Sequence, residues 1–217
     1  MHAALQNAET VPPEEMSVDQ ALHYAVGLQR QQCLDAAETI YRRVLQLLPD
    51  HPDAQHYLGL LHFQRGRNEA AVALLEQAIA RSPDFADFHS NLGNVQLALG
   101  RLAAAETSYR QAIHLDPARA DFHNNLGVLQ RVAGQDEAAE AEFWRAIALD
   151  AKHFRAYNNL GMLHAARDDI KSAVQYYCQS ITLRPEHPDS HKLLGLAYYS
   201  TGQLAEAAEV FRQWLEK

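Results

Sequence analysis

Residues 86–119 read ADFHSNLGNVQLALGRLAAAETSYRQAIHLDPAR, and this pattern of small, apolar and turn-forming residues returns every 34 residues. The clearest marker is a Leu-Gly pair, which occurs at Leu58-Gly59, Leu92-Gly93, Leu126-Gly127, Leu160-Gly161 and Leu194-Gly195. Returns at one fixed step indicate a single supersecondary unit that is copied and stacked. A period of 34 is typical of a helix–turn–helix repeat. The sequence therefore predicts an all-α chain.

Six repeats result when the Leu-Gly pair is placed at positions 7 and 8 of each unit. They span residues 18–51, 52–85, 86–119, 120–153, 154–187 and 188–217. Residues 1–17 fit no repeat and include Pro12-Pro13 and Glu14-Glu15, so they are predicted to be a mobile leader. Ser17 followed by Gln20 is a capping-box pattern, which marks the start of the first helix.

Recurrent residues elsewhere in the unit have a physical explanation. Position 20 is Ala in all six repeats, position 24 is always large and apolar, and position 15 is mostly Gly. Small residues at positions 8 and 20 should let the two helices of a repeat approach closely, and the residue at 24 should fill the space between repeats. Gly at 15 suits a left-handed turn, and Pro at 32 should stop the second helix.

These residues resemble the tetratricopeptide repeat family over residues 18–217. The resemblance implies a right-handed α-solenoid of six helix–turn–helix repeats. The sequence departs from the family at position 4, where Trp is favoured and this chain has Ala21, Gln55, His89, His123, Tyr157 and His191. We interpret the histidines as packing between repeats, because position-4 side chains about 10 Å apart cannot share one Zn²⁺.

Composition excludes several classes of partner. The formal net charge of −8 disfavours nucleic acid and anionic membrane surfaces, which bind clustered cations. The sequence shows no secretory signal and no apolar run of the roughly 20 residues that span a bilayer. Cys33 and Cys178 lie more than four repeats apart and are predicted to be free thiols in a reducing compartment. We expect a cytoplasmic protein.

Patterns typical of catalysis are missing from the sequence. It contains no glycine-rich phosphate loop, no HExxH zinc motif and no GxSxG nucleophile elbow. We therefore predict a non-catalytic chain that uses no cofactor and no metal.

The resemblance also implies a binding surface, since in this family the first helices line a concave groove and expose positions 2, 5, 6, 9, 12 and 13. Asparagines recur there, and each amide offers two donors and an acceptor for the backbone of an extended peptide. This series is similar to an asparagine ladder in the repeat region of bacterial O-GlcNAc-transferase-like glycosyltransferases. Alternatively, neighbouring amides bond each other and stiffen the stack. The candidate groove residues are Asp87, Asn91, Asn94, Asp121, Asn124, Asn125, Arg131, Arg155, Asn158, Asn159 and Lys192.

The charges on this surface indicate what charge the peptide ligand should have. Acidic residues recur at position 2, as Asp53, Asp87, Asp121 and Asp189. Two of the three cations that related repeats use to clamp an acidic chain terminus are absent. We therefore expect a peptide of mixed or mildly basic charge.

The sequence ends at Lys217, inside the second helix of the sixth repeat, where Val210, Phe211 and Trp214 would leave an apolar face partly bare. Truncation from a longer protein is the favoured explanation; the alternative is a homodimer formed through this face. The leading functional hypothesis is a protein–protein interaction scaffold that binds an extended peptide. The runner-up is the substrate-recognition region of a larger bacterial O-linked glycosyltransferase.

Overall fold

The computed structural model describes residues 16–215, and this part of the chain contains twelve α-helices and no strand. The all-α prediction is confirmed, and the helices form six helix–turn–helix pairs. The first helices of the pairs are α1 (Val18–Arg30), α3 (Pro52–Gln64), α5 (Ala86–Ala98), α7 (Ala120–Val132), α9 (Phe154–Ala166) and α11 (Pro188–Ser200). The second helices are α2 (Leu34–Leu47), α4 (Asn68–Arg81), α6 (Leu102–Leu115), α8 (Asp136–Leu149), α10 (Ile170–Leu183) and α12 (Leu204–Leu215).

The described residues fall into two compact units, one through Leu99 and one from Gly100. The first unit has an apolar core around Tyr41 and Leu61, which are fully buried. In the second unit, the corresponding core is built around Phe143 and Leu160. Each core is formed by residues of consecutive helix pairs, as expected when every repeat buries its apolar face against its neighbours.

The first helix begins at the predicted capping box. Ser17 Oγ accepts a hydrogen bond from the Gln20 backbone N–H at 3.3 Å, and Gln20 Oε1 accepts one from the Ser17 N–H at 2.9 Å. Two orphan backbone donors are thereby satisfied at the start of α1. The predicted mobile leader, residues 1–17, lies outside the described residues except for Met16 and Ser17.

A left-handed residue ends the first helix of every pair, at position 15. Four of these residues are glycines with φ between 71° and 75°. In the other two pairs, Gln32 and Asp168 adopt the same conformation, with φ of 64° and 63°. The turn geometry is therefore set by the repeat as a whole. Gln32 and Asp168 adopt it although the left-handed conformation is unfavourable for residues with a Cβ atom.

Close approach of the two helices within a pair depends on the position-8 glycine. A Cβ added to Gly127 would lie 2.6 Å from the Phe143 ring and 3.1 Å from the Ala139 carbonyl oxygen. Ala139 is the position-20 alanine, so the predicted approach of positions 8 and 20 is confirmed. The prediction for position 24 is wrong in part, because Phe143 packs over the glycine of its own repeat and not only between repeats. Tyr177 lies over Gly161 in the same way.

At four of the five boundaries between repeats, the position-4 side chain contacts the carbonyl oxygen of position 32 in the preceding repeat. Gln55 Nε2 donates to the carbonyl oxygen of Pro49 at 2.9 Å, and His89 Nε2 donates to that of Pro83 at 2.7 Å. The equivalent bond from His191 to Pro185 is 2.8 Å long. His123 makes the corresponding contact with Pro117 at 3.3 Å. These bonds agree with the interpretation of the histidines as packing between repeats.

Candidate functional site

First helices of the second unit surround a pocket of about 290 Å³. Its polar wall contains Asn124 from α7 and both Arg155 and Asn159 from α9, while Val128 and Met162 supply apolar surface. The spacing that places these side chains together is that of successive turns of a helix, positions 2, 5, 6 and 9. The structure therefore groups four of the predicted groove residues, Asn124, Arg155, Asn158 and Asn159, at one pocket.

A hydrogen bond between repeats orders the amides at this pocket. Asn159 Nδ2 donates to Asn124 Oδ1 at 2.8 Å, from position 6 of one repeat to position 5 of the preceding one. Asn124 is buried, whereas Asn159 is half-buried. Within the described chain, Asn159 Oδ1 has no hydrogen-bond donor, so it keeps an acceptor for a ligand. Neighbouring amides therefore bond each other here, as the second interpretation of the asparagines expected, and peptide binding by this series stays a prediction.

The predicted exposure of position 5 is wrong for the asparagines. Asn124 is 5% exposed and Asn158 is 6% exposed. Asn158 Nδ2 donates to Ser190 Oγ at 2.8 Å, and Ser190 Oγ lies 2.9 Å from Ser180 Oγ. Asn158 Oδ1 is buried and finds no donor within residues 16–215. Position 5 points towards the next repeat, so its side chains pack there and only line the back of the pocket.

Arg155, which lines the pocket, lies next to a pair of ionisable side chains outside it, Asp121 and His153. Asp121 Oδ1 accepts a hydrogen bond from His153 Nε2 at 3.1 Å and lies 3.8 Å from Arg155 Nη1. The hydrogen bond from His153 is the main cause of a lowered Asp121 pKa, with Arg155 adding to it. His153 Nδ1 also accepts from the Ala156 N–H at 3.2 Å, which caps α9. Arg155 is exposed, and its guanidinium also stands over the Phe154 ring at 5.5 Å.

In the first unit, the predicted groove residues form a different set of contacts. Asn91 Nδ2 donates to His56 Nε2 at 2.9 Å, and Asn94 Nδ2 donates to Asn91 Oδ1 at 3.5 Å. The Asn91 bond again runs from position 6 to position 5 of the preceding repeat. Burial lowers the pKa of His56 to about 4, so its ring is neutral and can accept this hydrogen bond. Asp87 is exposed on the first turn of α5.

The remaining predicted groove residues occupy varied environments. Asn125 is half-buried on α7, and Lys192 is exposed on α11. Arg131 is half-buried, and its Nε atom is buried without a hydrogen-bond partner in the described part of the chain. These positions stay predictions for partner contact.

The predicted self-association residues differ in exposure along α12. Val210 and Phe211 are half-buried, Val210 against the core that includes Tyr177 and Phe211 over Gly195. Trp214 is 38% exposed. Trp214 is the most exposed of the three, and self-association stays a prediction.

Sequence reasoning missed several residues of the pocket. Val128, Met162, Leu193 and His187 line it, beside Asp189, whose charge the sequence had already indicated. Val128 and Met162 occupy position 9 and Leu193 occupies position 6, so the groove positions already contained the signal. His187 precedes α11 and lies outside those positions, and nothing in the repeat pattern indicated it.

Metal centres and membrane-spanning helices are two other kinds of functional feature. Among residues 16–215, no group of three or more His, Cys, Asp or Glu side chains is placed to hold a metal ion. Over the same range, every helix is too short or too polar to traverse a lipid bilayer.

Paired helices with a left-handed turn, close glycine contacts and an inner row of polar side chains define a helical-repeat protein. Family models described as tetratricopeptide repeat match residues 58–118, 90–153 and 158–217, and a second such model matches residues 17–84. The chain belongs to the tetratricopeptide repeat family. No significant match was found among curated protein sequences.

Solved structures share this fold. PilW, described as a widely conserved type IV pilus biogenesis factor, is 20% identical, with a TM-score of 0.79 over 90% of this chain and 91% of that one. TTC0263, a thermophilic TPR protein from Thermus thermophilus, is 22% identical, with a TM-score of 0.76 over 84% of this chain and 100% of that one. YrrB, described as a TPR protein with an unusual peptide-binding site, is 19% identical, with a TM-score of 0.60 over 86% and 92%.

Proposed function

We propose that this chain is a non-catalytic protein-interaction module whose first helices bind an extended segment of a partner protein. The observation that carries the proposal is the pocket of about 290 Å³ in the second unit, where amide, guanidinium and apolar groups converge. Such a mixed lining is typical of sites that fix a ligand through a few placed polar groups. The peptide-binding site in the description of YrrB, a structure with the same fold, is consistent with this proposal.

Asn159 is the residue expected to hold the peptide. Its Nδ2 is fixed by Asn124, which orients the amide and leaves Oδ1 as an acceptor for a peptide N–H. Contact with the peptide backbone would make recognition tolerant of sequence. Arg155 stands at the mouth of the same pocket and would contact an acceptor of the ligand.

The test begins with peptides selected on the wild-type chain from a random 12-residue phage library, whose affinities are then measured by fluorescence anisotropy. Asn159→Leu introduces the residue type that position 6 already has at Leu193, and we expect it to weaken binding about 10-fold, as for loss of one buried hydrogen bond. Glu137→Ala, on the exposed start of α8, is the control and should leave the affinity unchanged.

A chemical variant of the peptide tests the backbone contact directly. Methylating one peptide nitrogen at a time removes a single N–H donor, and one position should lose affinity in the wild type but not in Asn159→Leu. If no peptide is selected, or if Asn159→Leu binds as tightly as the wild type, the proposal is wrong.

The alternative function, a substrate-recognition region of a larger O-linked glycosyltransferase, stays a prediction. It was based in part on the asparagine series, and two of those asparagines, Asn124 and Asn158, are buried. The geometry of the pocket supports peptide binding without favouring any reaction on the peptide.

A further inference from the structure

Gly27 lies in the interior of α1 without a packing reason for a glycine. The position-8 glycines, such as Gly127 and Gly161, have no room for a side chain because an aromatic ring covers them. A Cβ added to Gly27 would meet no atom within 4 Å. Glycine destabilises a helix interior relative to alanine, so its presence here calls for another explanation.

The open space beside Gly27 is a pocket of about 340 Å³ between α1 and α3. Leu22, Val26 and the Tyr57 ring supply its apolar walls. Tyr57 is held in place, since its ring stacks on Tyr41 with centroids 6.0 Å apart. A second pocket of about 390 Å³ adjoins the first and shares Val26 and Tyr57 with it. The two pockets thus share the apolar surface of Val26 and Tyr57, and Gln29, Gln32 and Gln64 add amide groups to the second pocket.

Two carboxylates border this pocket, Asp19 in the first turn of α1 and Asp53 in the first turn of α3. Within residues 16–215, neither carboxylate has a cation within 4 Å. Burial raises the pKa of Tyr57, and the negative charge of Asp53 raises it further. Arg30 also borders the pocket and opposes this effect, but it lies at the other end of α1, about 16 Å from Asp19 along the helix axis. The end of the pocket at Asp19 and Asp53 is therefore negative.

We propose that Gly27 opens a side-chain pocket for an aliphatic residue of a bound peptide, and that Asp19 and Asp53 contact a basic residue next to it. This inference rests on the proposed function and adds the chemistry of the ligand. An aliphatic side chain would bury its surface on Leu22, Val26 and Tyr57. The adjacent lysine or arginine would supply the positive charge that the two carboxylates lack.

Nuclear magnetic resonance of the full ¹⁵N-labelled chain tests the proposal with three hexapeptides. The probe is acetyl-Gly-Ser-Lys-Leu-Gly-Ser-amide, and in the comparison peptides Glu replaces Lys or Ser replaces Leu. We expect the probe to shift amide signals of α1 and α3 and to bind about 10-fold more tightly than either comparison peptide, as for loss of one anchoring contact.

Two variants at one residue separate pocket filling from loss of the fold. Gly27→Leu places a side chain in the pocket and should weaken the probe about 10-fold, whereas Gly27→Ala adds one carbon and should retain most of the affinity. Both should melt at or above the wild-type temperature, since neither Cβ meets an obstacle. In the charge variant Asp19→Asn/Asp53→Asn, the preference for Lys over Glu should disappear.

The outcomes distinguish this inference from the proposed function. Equal binding of the Lys and Glu peptides, or unchanged binding to Gly27→Leu, would overturn the pocket assignment. Shifts confined to α7 and α9 would also overturn it while leaving the proposed function intact. If the hexapeptides shift no amide and the phage library yields no binder, both proposals are wrong.

Discussion

His56 links the packing of the first unit to a measurable pH dependence. The side chain is 6% exposed, its ring lies 4.5 Å from that of Phe88, and its Nε2 accepts a hydrogen bond from Asn91. Burial lowers the pKa of His56 to about 4, because a charged imidazolium would lose its hydration there. A protonated ring would also be unable to accept the Asn91 hydrogen bond.

The sign and size of the effect follow from the two states of the chain. An unfolded histidine has a pKa of about 6.5, so between pH 6.5 and about 4 the unfolded chain binds a proton that the folded chain does not. The free energy of unfolding should therefore fall as the pH decreases through this window. A difference of about 2.5 between the two pKa values corresponds to at most about 3 kcal/mol. Above pH 6.5 His56 should contribute no pH dependence.

Urea unfolding followed by circular dichroism at several pH values between 4 and 8 measures this difference. The variant His56→Asn removes the titrating group while reproducing the amide pair that Asn124 and Asn159 form. Between pH 7.5 and 4.5, the wild type should lose about 2.5 kcal/mol more than the variant. The His56 ring signal in nuclear magnetic resonance should stay unprotonated down to about pH 4. A ring that titrates near pH 6.5, or equal pH dependence of both proteins, would refute the reasoning.

Four further substitutions test the backbone geometry by thermal unfolding. Asp168→Gly should stabilise the chain by about 0.5–1 kcal/mol because it relieves a left-handed residue, and Gly134→Ala should destabilise it by about 1 kcal/mol for the converse reason. Unchanged melting of both would contradict strain at position 15. Gly127→Ala should cost about 1–3 kcal/mol, since its Cβ would lie 2.6 Å from the Phe143 ring. By contrast, Gly27→Ala should stabilise the helix by about 0.5–1 kcal/mol, and equal effects of these two alanines would contradict the difference in packing.

The fold could be predicted from the sequence because one step of 34 residues repeats its whole pattern of contacts. A helix begins at Val18, Pro52, Ala86, Ala120, Phe154 and Pro188, which are the residues at position 1 of each repeat. The prediction that proline at position 32 ends the second helix does not hold for every repeat. Helix α8 ends at Leu149, two residues before position 32, just as the others do, although position 32 is Ala151 in that repeat.

The candidate site was predicted less completely than the fold. The period of 34 residues gives the direction of a side chain, but it does not give how deeply neighbouring residues bury that side chain. Position 5 has the same direction in every repeat, yet Asn158 is buried and Lys192 is exposed. Burial depends on which residues the next repeat places opposite, as Ser190 is placed opposite Asn158. The open space beside Gly27 could not be predicted from the sequence for the same reason, because it depends on which side chains the neighbouring helix places there.

The bond from position 4 to the preceding position 32 is absent at one boundary, where Tyr157 follows a repeat that ends in Ala151. At this boundary Arg167 Nη1 donates to Glu140 Oε2 at 2.7 Å, in addition to the uncharged hydrogen bond between Asn159 and Asn124. Salt screens an ion pair but has little effect on a hydrogen bond to an uncharged carbonyl. The nearest-neighbour coupling therefore has a charged component at the boundary between repeats four and five, and high ionic strength should weaken that component more than the His191–Pro185 hydrogen bond at the next boundary.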